Sequence, residues 1–185
     1  GRRVAAVAAA SVVFVLFAAF VGLTVERNQD WHNNVRLFRD TVTKNPDSLR
    51  VHYNLAVTYQ DLEGNLPGAR RHYEAVLALS RQRDRGDAQG LYPEEIEAHL
   101  SLGEVLAAQG EFAQAVEHFG PLTSLSPQQY AAEAAAAHMG MGRCLIGLGN
   151  VVQADAYFRR AMQIDPGLAQ PVQALLGGAS LRSPA

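Results

Sequence analysis

One cysteine, Cys144, is all that 185 residues contain, so no internal disulfide can form and cysteine usage favours neither an oxidising nor a reducing compartment. Charge is also sparse and nearly balanced, with 16 Lys and Arg against 18 Asp and Glu and a formal net charge of -2. The arginines are scattered rather than gathered into a stripe, so the basic footprint of a nucleic-acid-binding chain is missing. No His-Glu-x-x-His, cysteine pair, glycine-rich phosphate loop or nucleophile elbow occurs. The sequence therefore reads as a non-enzyme, with no catalytic constellation, no cofactor and no metal site. β-Branched residues thin out after residue 60 while alanine and leucine dominate, a balance that predicts an all-α chain of helices packed on helices. Its 48% apolar content is enough for a sizeable core. The chain opens at Gly1 without a methionine, which points to a processed product or a fragment.

Charge is missing altogether from Val4 to Leu23. As a helix this run extends about 30 Å, the thickness of a bilayer hydrocarbon core. A secretory signal is the rival reading, but its apolar stretch is usually about 7–15 residues and ends at a small-x-small cleavage site. The run here is longer and ends Val21-Gly22-Leu23-Thr24-Val25, which predicts a retained membrane-spanning helix over residues 1–25. Ala6 and Ala10, and again Ala18 and Gly22, are four apart, the spacing that lets a second helix approach closely in lipid. Membrane lipid, other membrane helices or a second copy of the chain are the partners such faces admit, although an alanine-rich sequence also produces this spacing without any partner. Arg2 and Arg3 precede the run and lean towards a cytoplasmic N-terminus with the rest outside, against Arg27, Arg36 and Arg39 that follow it.

Beyond the run, three segments align on one pattern. The clearest runs Leu102-Gly103, Leu106, Gly110-Glu111-Phe112, Ala115, Phe119, Leu122 and Pro127. With unchanged spacing it recurs as Met141-Gly142, Leu145, Gly149-Asn150-Val151, Ala154, Phe158, Ala161 and Pro166. An earlier copy, Leu55-Ala56, Tyr59, Gly64-Asn65-Leu66, Ala69, Tyr73 and Val76, has one extra residue before its turn. Half a unit precedes it in Asp30-Trp31, Phe38 and Asn45-Pro46. Each full unit predicts a helical hairpin. Small residues let its two helices approach, glycine supplies the turn, a large aromatic fills the seam between hairpins, and Pro127 and Pro166 stop the second helix.

These residues resemble the tetratricopeptide repeat (TPR). The resemblance implies an α-solenoid of about three and a half hairpins. By this register, 26–46 is a half repeat with Trp31 opening its helix, 47–82 the first repeat and 83–92 a polar linker. The second repeat is 93–127, the third 128–166 with a longer first helix from near Gln128, and 167–185 a short cap helix, confined to Pro171 to Leu176, with a tail.

The resemblance places one face of the first helices as the partner-binding groove. It assigns Tyr53, Val57 and Gln60, then Leu100, Glu104 and Ala107, then Met139, Arg143 and Ile146. That lining is mostly apolar and suits a protein or peptide ligand, unless the same residues cover another part of the chain. TPRs that clamp a C-terminal carboxylate use lysine and asparagine where Tyr53 and Val57 stand, which disfavours that ligand. His52, His99 and His138 occupy one repeat position; successive hairpins separate them by at least about 8–10 Å, too far to share a metal ion, so packing is expected. Cys144 is expected as a small buried residue.

The junction, Val25-Glu26-Arg27-Asn28-Gln29-Asp30-Trp31 through Asn45-Pro46-Asp47-Ser48, is similar to the point where bacterial transmembrane-and-TPR-containing, glycosyltransferase-like membrane proteins pass from their last membrane helix to their repeats. That resemblance implies a bacterial inner (cytoplasmic) membrane, one span in this chain, and repeats on the periplasmic or extracellular side. Three readings result. The first is a membrane-anchored scaffold that binds a partner and supports complex assembly. The second is the C-terminal tail of a polytopic membrane glycosyltransferase. The third is a self-assembling extracellular fibre subunit with bundled apolar helices, which the lack of an acidic residue near the start of the apolar run counts against.

Overall fold

The computed structural model describes Gly1 and residues 14–17, 19–22, 34–83 and 90–180, in two compact units, Gly1–Pro46 and Asp47–Ala185. The described residues form helices and turns only.

In the first unit, residues 14–17 and 19–22 are helical. Phe14, Val15, Leu16, Phe17 and Phe20 are each 64–70% exposed. Among the described residues no helix is long and apolar enough to cross a membrane. Most of the expected span from Val4 to Leu23 lies outside the described residues, as do Ala6, Ala10, Ala18 and Trp31. Gly22 is described and exposed, and a Cβ added there would meet nothing within 4 Å. Helix α1, Asn34–Lys44, carries an internal Lys44–Asp40 ion pair of 2.6 Å one turn apart.

The second unit is a run of helical hairpins. Helices α2 (Leu49–Asp61) and α3 (Leu66–Gln82) form the first, α4 (Pro93–Ala108) and α5 (Phe112–Leu122) the second, and α6 (Ala131–Gly147) and α7 (Val151–Ile164) the third. A 3-10 turn, Pro166–Leu168, leads into α8, Ala169–Ser180. The cap helix is thus longer than expected at both ends, and the 3-10 turn ahead of it is capped by Asp165 Oδ1, which accepts from Gly167 N–H at 2.9 Å.

Local chemistry sets the ends of these helices. Ser48 Oγ accepts from Val51 N–H and Asn65 Oδ1 from Gly68 N–H, filling orphan donors at the starts of α2 and α3. At the second and third turns, Gly110 and Gly149 adopt φ of +80° and +81°, a left-handed backbone that only glycine takes without strain. The chain then closes back with Glu111 N–H on Leu106 O (2.9 Å) and Asn150 N–H on Leu145 O (2.8 Å). In the first hairpin the extra residue stretches this bond by one position, to Asn65 N–H on Tyr59 O at 2.8 Å.

Two boundaries differ from the sequence reading. Helix α5 ends at Leu122, five residues before Pro127, with Pro121 inside its last turn. Pro121 has no N–H to give that turn, and Thr123 N–H closes on Gly120 O instead. Helix α6 begins at Ala131, not near Gln128. The Pro127–Gln129 stretch is a turn in which Ser126 O accepts from both Gln129 and Tyr130 N–H.

The core lies in the seams. Tyr73, Phe119 and Phe158 are all buried. A Cβ built on Gly103 would come within 2.8 Å of the Phe119 ring, one on Gly140 within 2.5 Å of the same ring, and one on Gly142 within 2.5 Å of Phe158. Phe119 is therefore wedged between the backbones of α4 and α6, which joins the second hairpin to the third. Ala56, Ala69, Ala115 and Ala154 are fully buried where helices meet. Helix α4 packs on α2, α3, α5 and α6, so the first helices of successive hairpins touch one another and form a continuous layer.

Candidate partner-binding face

The layer of α2, α4 and α6 presents the nine groove residues in three steps, but the structure uses several of them internally. Tyr53 lies 6.0 Å from Tyr73, ring to ring, and Tyr73 Oη donates to Gln60 Oε1 at 3.1 Å. Burial, and then the neighbouring Glu97 carboxylate, push the Tyr53 phenol upwards; burial likewise raises Tyr73, with Asp61, Glu104 and Glu97 adding to it. Leu100 packs against the buried cluster of Ile96, Leu122 and Ala137. Met139 and Ile146 pack against Leu145, Ala154, Phe158 and Val172. Val57 and Ala107 are half-buried, while Glu104 and Arg143 are exposed.

Glu104, Met139 and Arg143 are brought together in one open cavity of about 280 Å³. Small residues that the repeat register did not single out, Ala132, Ala135, Ala136 and Gly140, also line it, as do Asp165 and Leu168. Asp165 and Leu168 belong to the turn that follows the third hairpin, so nothing in the spacing of the first helices pointed to them. Across the face, Arg50 pairs with Glu94 at 2.7 Å and ties α2 to α4.

The histidines resolve differently from any shared site. His52 Nδ1 lies 3.0 Å from His72 Nδ1, and His99 Nδ1 lies 3.1 Å from His118 Nδ1. Each pair bridges the two helices of one hairpin. One imidazole of a pair donates while the other accepts, which requires that they are not both protonated. His72 and His118 recur at the same repeat position, a signal available from alignment of the second helices. In the third hairpin that position is Tyr157, whose ring is 5.9 Å from His138, and His138 Nδ1 is buried with no partner among the described residues. Burial lowers His99 to about 4, with His118 contributing, and lowers His118 and His138 as well. Cys144 is fully buried and burial raises its thiol, the state of an inert packing residue. Among the described residues no group of three or more His, Cys, Asp or Glu could hold a metal ion.

Two family models match, both described as tetratricopeptide repeat, one over residues 63–129 and the other over 106–178. Residues 63–178 are tetratricopeptide repeats. The matched stretch covers the second helix of the first TPR, both later TPR hairpins and most of α8. No curated protein matches the sequence. Among solved structures, the chain is similar to one described as "Crystal structure of MamA protein", at 16% identity and a TM-score of 0.44, over 80% of this chain and 90% of that one. TPR repeats are a protein-interaction fold. Arg70 adds a tie between hairpins on the second-helix side, reaching Glu74 at 2.9 Å and Glu111 at 3.3 Å.

Proposed function

We propose that this chain is a membrane-tethered TPR scaffold that holds a segment of a partner protein on the face formed by α2, α4 and α6. The observation that carries the reading is the open cavity on that face, lined by exposed Glu104 and Arg143 together with Met139 and small residues. A site of this form suits a peptide: it offers apolar burial at about 25 cal/mol per Å² beside charged groups that fix register. The tether rests on the uncharged run from Val4 to Leu23 and on the exposure of Phe14, Val15, Leu16, Phe17 and Phe20, apolar area that water penalises and lipid accepts. Arg2 and Arg3 favour a cytoplasmic N-terminus with the repeats outside, and the resemblance of the junction points to a bacterial inner (cytoplasmic) membrane. The junction from Val25 to Ser48 supports a second version, in which the scaffold is the C-terminal part of a polytopic membrane glycosyltransferase and presents acceptor proteins to a site elsewhere.

Photo-crosslinking tests the face directly. A photoreactive residue is placed at Val57 or Arg143, and a control at Val152, which is 90% exposed on the second-helix side. In native membranes, discrete adducts are expected from positions 57 and 143 and not from 152. Equal adduct yields at all three positions would refute the face assignment. Recovery of the whole chain in the alkaline-wash supernatant of those membranes would refute the tether.

A further inference from the structure

The cavity has unlike walls. Its lining includes apolar Met139 and Leu168, small Ala136, and the charged side chains of Glu104, Asp165 and Arg143, two carboxylates against one guanidinium. Asp61, Glu97 and Glu104 all act on Tyr73, so the adjoining part of the same face concentrates carboxylates. On α2, Arg50 is engaged with Glu94 at 2.7 Å. Asp165 commits one oxygen, Oδ1, to the Gly167 N–H. An apolar side chain that packs on Met139 and Leu168 in this cavity thus shares its lining with two carboxylates and one guanidinium. A partner with acidic residues beside that side chain would meet an excess of like charge, whereas lysine or arginine would be attracted to the carboxylates.

We propose that this cavity receives one large apolar side chain from a partner segment whose adjacent residues are lysine or arginine. The proposal rests on the binding-face reading and narrows it to a location and a chemical class. The occupant is a basic-apolar peptide segment held at the C-terminal end of the face, with the turn after the third hairpin as part of the site.

The test is selection of a random peptide display library on the full chain in detergent micelles, in three forms: wild type, Ala136→Trp and the double variant Glu104→Lys/Asp165→Asn. Both side chains are exposed and the asparagine placed at position 165 keeps an Oδ1 to accept from Gly167 N–H, so far-ultraviolet circular dichroism is expected to match wild type. Peptides enriched on wild type are expected to carry lysine or arginine beside a large apolar residue. Their binding is expected to weaken about tenfold on the double variant, on which aspartate and glutamate should be enriched instead. Ala136→Trp fills the cavity and should remove binding. If enriched peptides are lost on Ala136→Trp but show no basic bias and ignore the charge reversal, the proposal is overturned while the binding-face reading stands. If no peptide is enriched, or enrichment ignores Ala136→Trp, both are overturned.

Discussion

Gly140→Ala isolates the wedge that joins the second hairpin to the third. The new Cβ would lie 2.5 Å from Phe119 Cζ and 2.6 Å from Cε1, distances at which something must move. The ring cannot retreat, because on its other side a Cβ at Gly103 would already come within 2.8 Å, so the ring is in contact with both helix backbones. Overpacking of this kind costs about 1–3 kcal/mol, and a contact this short belongs at the upper end. Against it stands a gain of about 1 kcal/mol from replacing glycine by alanine inside a helix. A net loss of about 1–2 kcal/mol is expected, equivalent to a fall of about 2–8 °C in melting temperature for a chain of this size. Gly177→Ala is the control: it lies in α8, and its added Cβ would meet nothing within 4 Å. Urea titrations followed by circular dichroism at 222 nm measure both. Phe119→Leu should restore part of the loss when combined with Gly140→Ala, giving a favourable coupling in a double-mutant cycle. If Gly140→Ala is as stable as Gly177→Ala, Phe119 is not wedged between α4 and α6.

Acid should weaken the fold through its histidines. The folded-state value of His99 is about 4, below the ordinary 6.5, so its contribution is complete above about pH 6.5 and is lost as pH falls towards 4. His99 alone implies about 2 kcal/mol less stability at pH 5 than at pH 7, and replacing His99 and His118 together by leucine should flatten that dependence in urea titrations at the two pH values. His138→Phe removes a buried nitrogen that has no partner among the described residues and should raise stability by about 1 kcal/mol, read as a higher urea midpoint at pH 7. A lower midpoint would show that His138 is satisfied in solution. Arg70→Ala breaks ion pairs that are a third exposed or more, so a loss of no more than about 1 kcal/mol is expected, shrinking further in 1 M salt.

What could be read from the sequence was local. Gly110 and Gly149 mark their turns because a left-handed backbone excludes other residues, and the small-large alternation of Ala115 with Phe119 and Ala154 with Phe158 marks helix contacts by size. The extra residue of the first unit reappears as the longer closure of Asn65 on Tyr59. Where two local signals compete, reading along the chain failed. Pro127 fits the repeat pattern, yet Pro121 ends α5 first, because a missing N–H acts within its own turn whatever the register.

Repeat spacing by itself determined the hairpins and which helices share a face, because each hairpin buries only what its neighbours cover and must therefore recur. Tertiary structure alone decided what each residue on that face does. Leu100, Met139 and Ile146 are assigned to the groove by register, but the rotation and closeness of neighbouring helices turn much of their surface towards Ile96, Leu145 and Phe158. The pairing of His52 with His72 and of His99 with His118, and the entry of Asp165 and Leu168 into the cavity, join residues separated along the chain. Such contacts depend on where packing places side chains, which periodicity along the chain does not encode.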